Sequence, residues 1–261
     1  MLVVTYKKKG IRLSHVCFVT QEDVNNNSFR SIKSDIVYLY GLPVYPRRCQ
    51  FLRNQNTIIK DLSGDETLLF ASLGKHLRSH IKKSYVTDGL ETRIIRSSDI
   101  QKDYRVLDIC KELFEGMYRA KGIITYFNMD LAKALVASDL LLIGIAYYEK
   151  QPIGFSAVLF KDNDARLWLT AFSFREDKEK AQIYSDAHKR LDWELLLKCK
   201  DLGAIRFDFG GVNSFDEPNG IAKFKMEFEK NNKTTYSNYI TANSFLGRLV
   251  VLAMRITKKT Q

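Results

Sequence analysis

Gly203-Ala-Ile-Arg-Phe-Asp-Phe-Gly-Gly-Val212, followed by Gly220-Ile-Ala-Lys-Phe-Lys225, is the stretch from which the rest of the chain can be read. Ala204 to Gly210 reads as a buried strand, and the Gly210-Gly211 pair opens its end. Backbone amides and neighbouring side chains can converge on a ligand there without steric cover. Gly220 to Lys225 reads as the start of a short basic helix. Just upstream, Leu191, Leu195 and Cys199 recur on one face of a helix from Tyr184 to Leu202, which Gly203 ends. A helix of that length is a crossover connection, so strand 204–210 is expected to lie parallel to an earlier strand.

Working back, strands over 140–149, 152–161 and 165–174 are joined by Lys150-Gln151 and Asp162-Asn163-Asp164, which predicts an antiparallel meander. Helices over 107–119 and 130–138 precede it. The first sixty or so residues are strand-rich, with runs at 16–19, 35–40 and 56–62 broken by Asn25 to Ser28 and by Gly41, Pro43 and Pro46. One helix is predicted from Asp65 to Val86, because Leu69, Leu73, Leu77 and Ile81 recur on one face. Gly89 stops it, and Glu91 to Ile95 returns as a strand.

With 261 residues, 45% of them hydrophobic, the chain can bury a sizeable core in one large domain or two small ones. No apolar run approaches a bilayer span, and the N-terminus lacks a secretory signal's apolar region, so a cytoplasmic location is expected. Cys17, Cys49, Cys110 and Cys199 are scattered, without a Cys-x-x-Cys pair or an adjacent histidine. That argues against zinc and against disulfides, and for buried thiols; no metal is expected. Forty-one basic against thirty acidic residues give a net charge of +11. Such an excess favours polyanionic partners: nucleotide pyrophosphates, RNA or an anionic membrane surface. The alternative is a solvated surface with a basic bias. The tail from Phe245 to Lys259 is mildly amphipathic, with Arg248, Arg255 and Lys259 on one stripe and Leu246, Val250 and Ala253 opposite. Either it packs on the core or its apolar side meets a membrane.

The order helix, helix, three strands, helix, strand, helix, strand resembles that of the GNAT acyltransferases. Three segments resemble more specifically the FemAB/FemX-like branch, in which two GNAT-like units share one chain. They are Asp61-Leu-Ser63 with Leu77 to Ser84 and Gly89; Leu191-Asp-Trp193 through Phe207-Asp-Phe-Gly-Gly211; and Gly220 to Lys225 with Phe228. The resemblance implies a mixed α/β (α+β) fold with a central mixed sheet flanked by helices, built from two tandem units. Residues 1–97 would be a degenerate N-terminal GNAT-like unit and 98–261 the acyltransferase unit. It also implies acyl-coenzyme A as co-substrate. The sequence departs from its relatives in two places. Arg175-Glu-Asp-Lys-Glu-Lys-Ala-Gln182 stands where the glycine-bearing pyrophosphate loop is expected, and the helical arm of peptidoglycan-bridge enzymes is missing. Small bacterial sugar N-acyltransferases of similar size act on nucleotide-linked amino sugars, so the implied activity is N-acylation of such a sugar for cell-surface polysaccharide biosynthesis in the bacterial cytoplasm. One alternative keeps the fold but takes an aminoacyl-tRNA donor and a peptidoglycan precursor. Another is a non-catalytic RNA- or membrane-binding protein. Assembly as a homodimer stays open.

Acyl transfer to an amine needs a neutral nucleophile, a proton acceptor and a stabilised oxyanion. The resemblance places Lys225 near the acyl carbonyl; otherwise it is a solvated lysine paired with Glu229 one turn on. Asp208, between Phe207 and Phe209, is either a general base with a raised pKa or a structural acceptor. His188 lies near the donor or is an exposed histidine beside Asp192. Tyr184 and Ser185 are placed to reach phosphate, or else Ser185 or Asp186 caps the helix. Asn213, Asp216 and Glu217 either hold sugar hydroxyls or form the turn before Pro218. Arg78, Lys82 and Lys83 are candidates for nucleotide phosphates, or a charged helix face. Thr170, Phe172, Gly210, Gly211 and Lys223 are the expected contacts of coenzyme A.

Overall fold

The computed structural model describes residues 1–42, 44–173 and 179–259, with side chains up to Met254. Its elements begin with β1 (Leu2–Lys8), β2 (Ile11–Cys17), α1 (Gln21–Asn25), β3 (Ile36–Leu42) and β4 (Gln50–Asp61). They continue with α2 (Glu66–Ser72), α3 (Lys75–Tyr85), β5 (Leu90–Arg96), α4 (Ser97–Ile100), α5 (Arg105–Arg119) and α6 (Met129–Ala137). Then follow β6 (Leu141–Tyr148), β7 (Gln151–Lys161), β8 (Asp164–Phe172), α7 (Ala181–Asp201), β9 (Arg206–Val212), α8 (Gly220–Phe228), β10 (Lys233–Ala242) and α9 (Phe245–Lys259).

Compactness divides the chain into Met1–Thr57 with Thr234–Gln261, and Ile58–Lys233. That partition differs from 1–97 and 98–261 because Leu77, Ile81 and Leu90 share one core with Leu191, Leu195 and Phe209. The 97/98 boundary concerns ancestry, which compactness does not decide.

The first unit orders its strands β1-β2-β3-β10-β4. β1 and β2 form a hairpin around Lys9-Gly10, both at positive φ. β3 runs parallel to β2 and antiparallel to β10. Its core gathers Val16, Phe29, Val37, Leu39, Leu42 and Tyr239.

The second unit carries the mixed sheet β4-β9-β8-β7-β6-β5. β6, β7 and β8 form the antiparallel meander, and β9 is parallel to β8, as the crossover helix requires. Leu141 to Ala146 of β6 are all buried, so both faces of this strand are covered. α7 packs on β6 and β7, and α5 on β7 and β8. The single helix expected over 65–86 is two. Asp65 caps α2, accepting from the Leu68 N–H at 2.8 Å, and the chain then extends through Leu73 and Gly74 before α3. The apolar stripe survives this break because Leu69, Leu73, Leu77 and Ile81 all remain buried. Arg78 Nη1 ties the break, donating to the carbonyls of Ala71 and Leu73 at 2.6 Å each. All four cysteines are buried thiols. Among the described residues no helix is long and apolar enough to cross a membrane.

Candidate active site

The site grows from the place where β8 and β9 part. They pair in parallel over Asp164–Arg166 and Arg206–Asp208, and no further ladder pair joins them among the described residues. Near the same point the β7/β8 register slips, so that Leu167 and Leu169 pair with Val158 and Ala157 and Trp168 bulges out. A bulge bends and twists its strand, which carries the end of β8 away from β9. Gly210 sits at the vertex with φ +71°, and a Cβ there would lie 2.8 Å from the Leu167 carbonyl oxygen. Only glycine satisfies both the backbone and the space.

Lys225 closes this vertex. Asn219 caps α8, accepting from the Ala222 N–H at 2.9 Å, and fixes the helix so that Lys225 points inward. The side chain is buried, and Nζ donates to the Gly211 carbonyl at 2.9 Å. Burial draws its pKa from the ordinary lysine value down to about 8, opposed by Asp208 and Asp192 and assisted by Arg166. The alternative pairing with Glu229 fails, since Glu229 faces Lys60 at 3.4 Å.

Asp208 is not a lone carboxylate in apolar surroundings. Alternation along β9 sends Phe207 and Phe209 to the opposite face, where their rings meet at 4.9 Å. Asp208 Oδ1 accepts the Gly210 N–H at 2.7 Å, and Oδ2 lies 3.6 Å from Arg166 Nε. Both contacts fit the reading of Asp208 as a structural acceptor and counter-charge.

The reading of His188 as exposed is overturned. Its ring is sandwiched between Phe172 and Phe224, with centroids at 4.3 and 4.2 Å. Nε2 lies 3.1 Å from Thr170 Oγ1 and 3.4 Å from Asp192 Oδ2. Ser156 Oγ donates to Asp192 Oδ1 at 2.6 Å. Ser156 and Thr170 are register partners on β7 and β8, so both side chains meet α7 on one face. Gly154 makes the arrangement fit, because a Cβ there would lie 2.1 Å from the Phe172 ring. Asp192 and Arg166 carry much of the local charge, yet sequence reasoning had no role for them beyond Asp192 as a neighbour. The available signals were an acid one turn after His188 on an apolar helix face and a charge inside an apolar strand.

The other candidates scatter. Tyr184 is buried one turn from His188, its ring 6.4 Å from that of Tyr148. α7 begins at Ala181, so neither Ser185 nor Asp186 caps it; Asp186 instead accepts from Gln182 at 2.7 Å and lies 2.6 Å from His80 Nδ1. Asn213 closes its own loop, donating to the Glu217 carbonyl at 3.0 Å and accepting from the Asn219 N–H at 3.1 Å. Asp216 and Glu217 are exposed, with their N–H groups turned to Ser214 Oγ. The trio on α3 is divided among separate partners. Arg78 serves the helix break, Lys82 lies over the Phe70 ring at 5.8 Å, and Lys83 is 4.0 Å from Asp186. Thr170, Phe172 and Gly210 line the divergence, while Gly211 and Lys223 are exposed beside it. Residues Arg175 to Lys178, where the pyrophosphate loop was sought, lie outside the described residues.

Beyond the ladder over Asp164–Arg166 and Arg206–Asp208, the segments Thr170 to Phe172 and Gly210 to Val212 flank the point where the two strands part. Among the described residues, α7 starts without a side-chain cap or an acid in its first turn. Among the described residues no cluster of His, Cys, Asp or Glu is arranged for a metal ion.

The profile of the acetyltransferase (GNAT) domain matches residues 71–226, more than half of the chain. The chain belongs to the GNAT acetyltransferase family. It is accordingly an acyltransferase. No curated protein matches it. Among solved structures, FemX superposes with a TM-score of 0.58 at 11% identity, covering 95% of this chain and 86% of that one. The C-terminal domain of a protein described as a lysylphosphatidylglycerol synthetase, from Agrobacterium fabrum, gives 0.58 at 11%, over 97% and 84%. L-PGS from Bacillus licheniformis gives 0.51 at 11%, over 98% and 86%. At these identities the likeness is one of fold.

Proposed function

We propose that this GNAT enzyme moves an acyl group from acyl-coenzyme A to the amine of a nucleotide-linked amino sugar, in cell-surface polysaccharide biosynthesis. The observation that carries acyl transfer is the buried Lys225 ammonium at the vertex where β8 and β9 part. The sugar acceptor rests on the resemblance. Bound coenzyme A would supply the thioester carbonyl. The acyl-thioester arm would enter where β8 and β9 part, beside Gly210. Lys225 directs positive charge at the oxygen that becomes negative as the amine attacks; the C–S bond then breaks, and the departing coenzyme A thiolate takes up the proton shed by the amine. Asp208 and Asp192 favour that charge, while Arg166 and burial oppose it. His188, packed between Phe172 and Phe224, keeps water from the floor of the site. In ancestry, residues 1–97 form a degenerate first unit.

A second reading, aminoacyl transfer from tRNA to a peptidoglycan precursor, is supported by the FemX-like architecture and the charge of +11. One experiment separates the two. The protein is mixed with acetyl-coenzyme A and a panel of uridine and thymidine diphospho-amino sugars, and free thiol is followed; charged tRNA with a peptidoglycan precursor runs in parallel. Thiol release with one sugar supports the first reading, and aminoacyl transfer alone selects the second. Activity in neither arm removes both.

The pH profile follows from Lys225. With a pKa of about 8 it is charged for roughly 90% of molecules at pH 7. If the charged form stabilises the oxyanion, kcat/KM falls as pH rises through about 8. In Lys225→Arg, which stays charged, residual activity loses that falling limb. A rate that rises through pH 8 in the wild type would instead make Lys225 a base.

A further inference from the structure

We propose that α9 and the arginine-lined cavity beside it form a docking site for anionic phospholipid bilayers, separate from the acyl-transfer site. Asn243 and Ser244 pin the start of this helix. The Asn243 N–H donates to the Asp35 carbonyl at 2.9 Å, and Ser244 Oγ donates to Asp35 Oδ1 at 2.5 Å. The outer face is left apolar and open. Phe245 is 76% exposed, Leu246 46%, Leu249 49% and Leu252 53%. Their spacing puts them on one stripe of the helix.

Beside the stripe lies a cavity of about 660 Å³ lined by Arg30, Arg48 and Arg248 over Ile240, Val251 and Leu252. No acidic residue is among those lining it. Arg30 and Arg48 are held together, since Arg30 Nη2 donates to the Arg48 carbonyl at 2.7 Å. Three arginines with no acidic residue among the lining residues suit phosphate oxygens. Leu252 belongs both to the stripe and to the cavity wall, so the apolar and cationic surfaces are continuous. A bilayer containing anionic lipid offers both counterparts at once: an apolar phase for the stripe and phosphates for the arginines. A second copy of the chain fits less well, because a two-fold contact centred here would bring like arginines together.

The test uses the full chain in co-sedimentation with vesicles of phosphatidylcholine alone and of phosphatidylcholine mixed with phosphatidylglycerol. The expected result is partition onto the mixed vesicles only, weakening as salt is raised. Arg30→Gln and Arg248→Gln should each lower the partition coefficient about fivefold, and Leu249→Glu or Leu252→Glu should abolish binding. All four side chains lie at the surface or the cavity rim, and unchanged circular dichroism confirms folding. The proposal is overturned by equal partition onto neutral vesicles, or by none onto either. It is overturned too if glycerol phosphate binds the arginines while Leu249→Glu leaves vesicle binding intact, which marks a free phosphate ligand. Light scattering that finds a dimer dissociated by Leu249→Glu, with no vesicle binding, assigns the stripe to a second copy.

Discussion

Lys225→Met is expected to lower kcat by about 10²–10³ while changing KM only a few-fold, and at the same time to raise the thermal midpoint. The first effect follows from the site. A cation that meets charge appearing only in the transition state contributes to kcat and not to ground-state binding. The second follows from burial. Folding moves this amine from an ordinary pKa of 10.5 to about 8, so the unfolded chain binds more protons between those values. Stability therefore rises with pH across that window, and the whole deficit is present below about pH 8. The shift corresponds to about 3 kcal/mol. Methionine forgoes the hydrogen bond to Gly211, worth about 1 kcal/mol, which leaves a net gain of about 2. For a chain of this size the midpoint should rise by about 4–8 °C at pH 7. At pH 10 and above the gain should shrink towards zero. Calorimetry at the two pH values, alongside initial rates, checks both halves. An unchanged kcat takes Lys225 out of the mechanism, and a lowered midpoint at pH 7 makes its charge structural. Stability that increases when a polar group is removed is the pattern of a residue kept for chemistry.

The elements that sequence made legible are those whose signals are local. The meander was readable because turns at Lys150-Gln151 and Asp162-Asn163-Asp164 separate three apolar runs, and β9 because a long helix precedes it. The Phe-Asp-Phe-Gly-Gly run marked Gly210, a glycine at positive φ with a carbonyl against it, although β9 runs on through both glycines to Val212. The break between α2 and α3 was hidden because the apolar stripe runs through it in phase. Only Gly74 hinted at it, and a lone glycine within a helical pattern is a weak signal.

Partners were harder to see than positions. Arg78 carries its charge on an amphipathic helix, a pattern that suits phosphate equally well. What commits it are the carbonyls exposed by the break. Asp208 looked apolar-flanked in sequence, but in a strand the flanking residues belong to the other face. Its real surroundings come from Arg166 on β8, about forty positions earlier and unreadable without the register. His188 and Asp192 were visible as a pair one turn apart. That Phe224 would cover them depends on how α8 returns after β9, which no local spacing encodes.

Gly210→Ala should damage both the stability and the rate of the second unit. Alanine at φ +71° pays for the left-handed backbone, about 1–2 kcal/mol. Its methyl would also stand 2.8 Å from the Leu167 carbonyl oxygen, a backbone atom that can retreat only if β8 moves. Overpacking of that kind costs about 1–3 kcal/mol. A total of about 2–5 kcal/mol lowers the midpoint by about 5–15 °C. The more telling effect is on rate. Shifting β8 against β9 displaces the Gly211 carbonyl that holds Lys225 Nζ at 2.9 Å, so kcat/KM should fall by at least tenfold at temperatures where the variant is fully folded. Gly220→Ala is the matched control, because its methyl meets nothing within 4 Å and its φ lies outside the left-handed region. It should leave both midpoint and rate unchanged or slightly improve the first. A Gly210→Ala protein with wild-type turnover would show that the vertex tolerates movement, and would separate the parting of β8 and β9 from the chemistry.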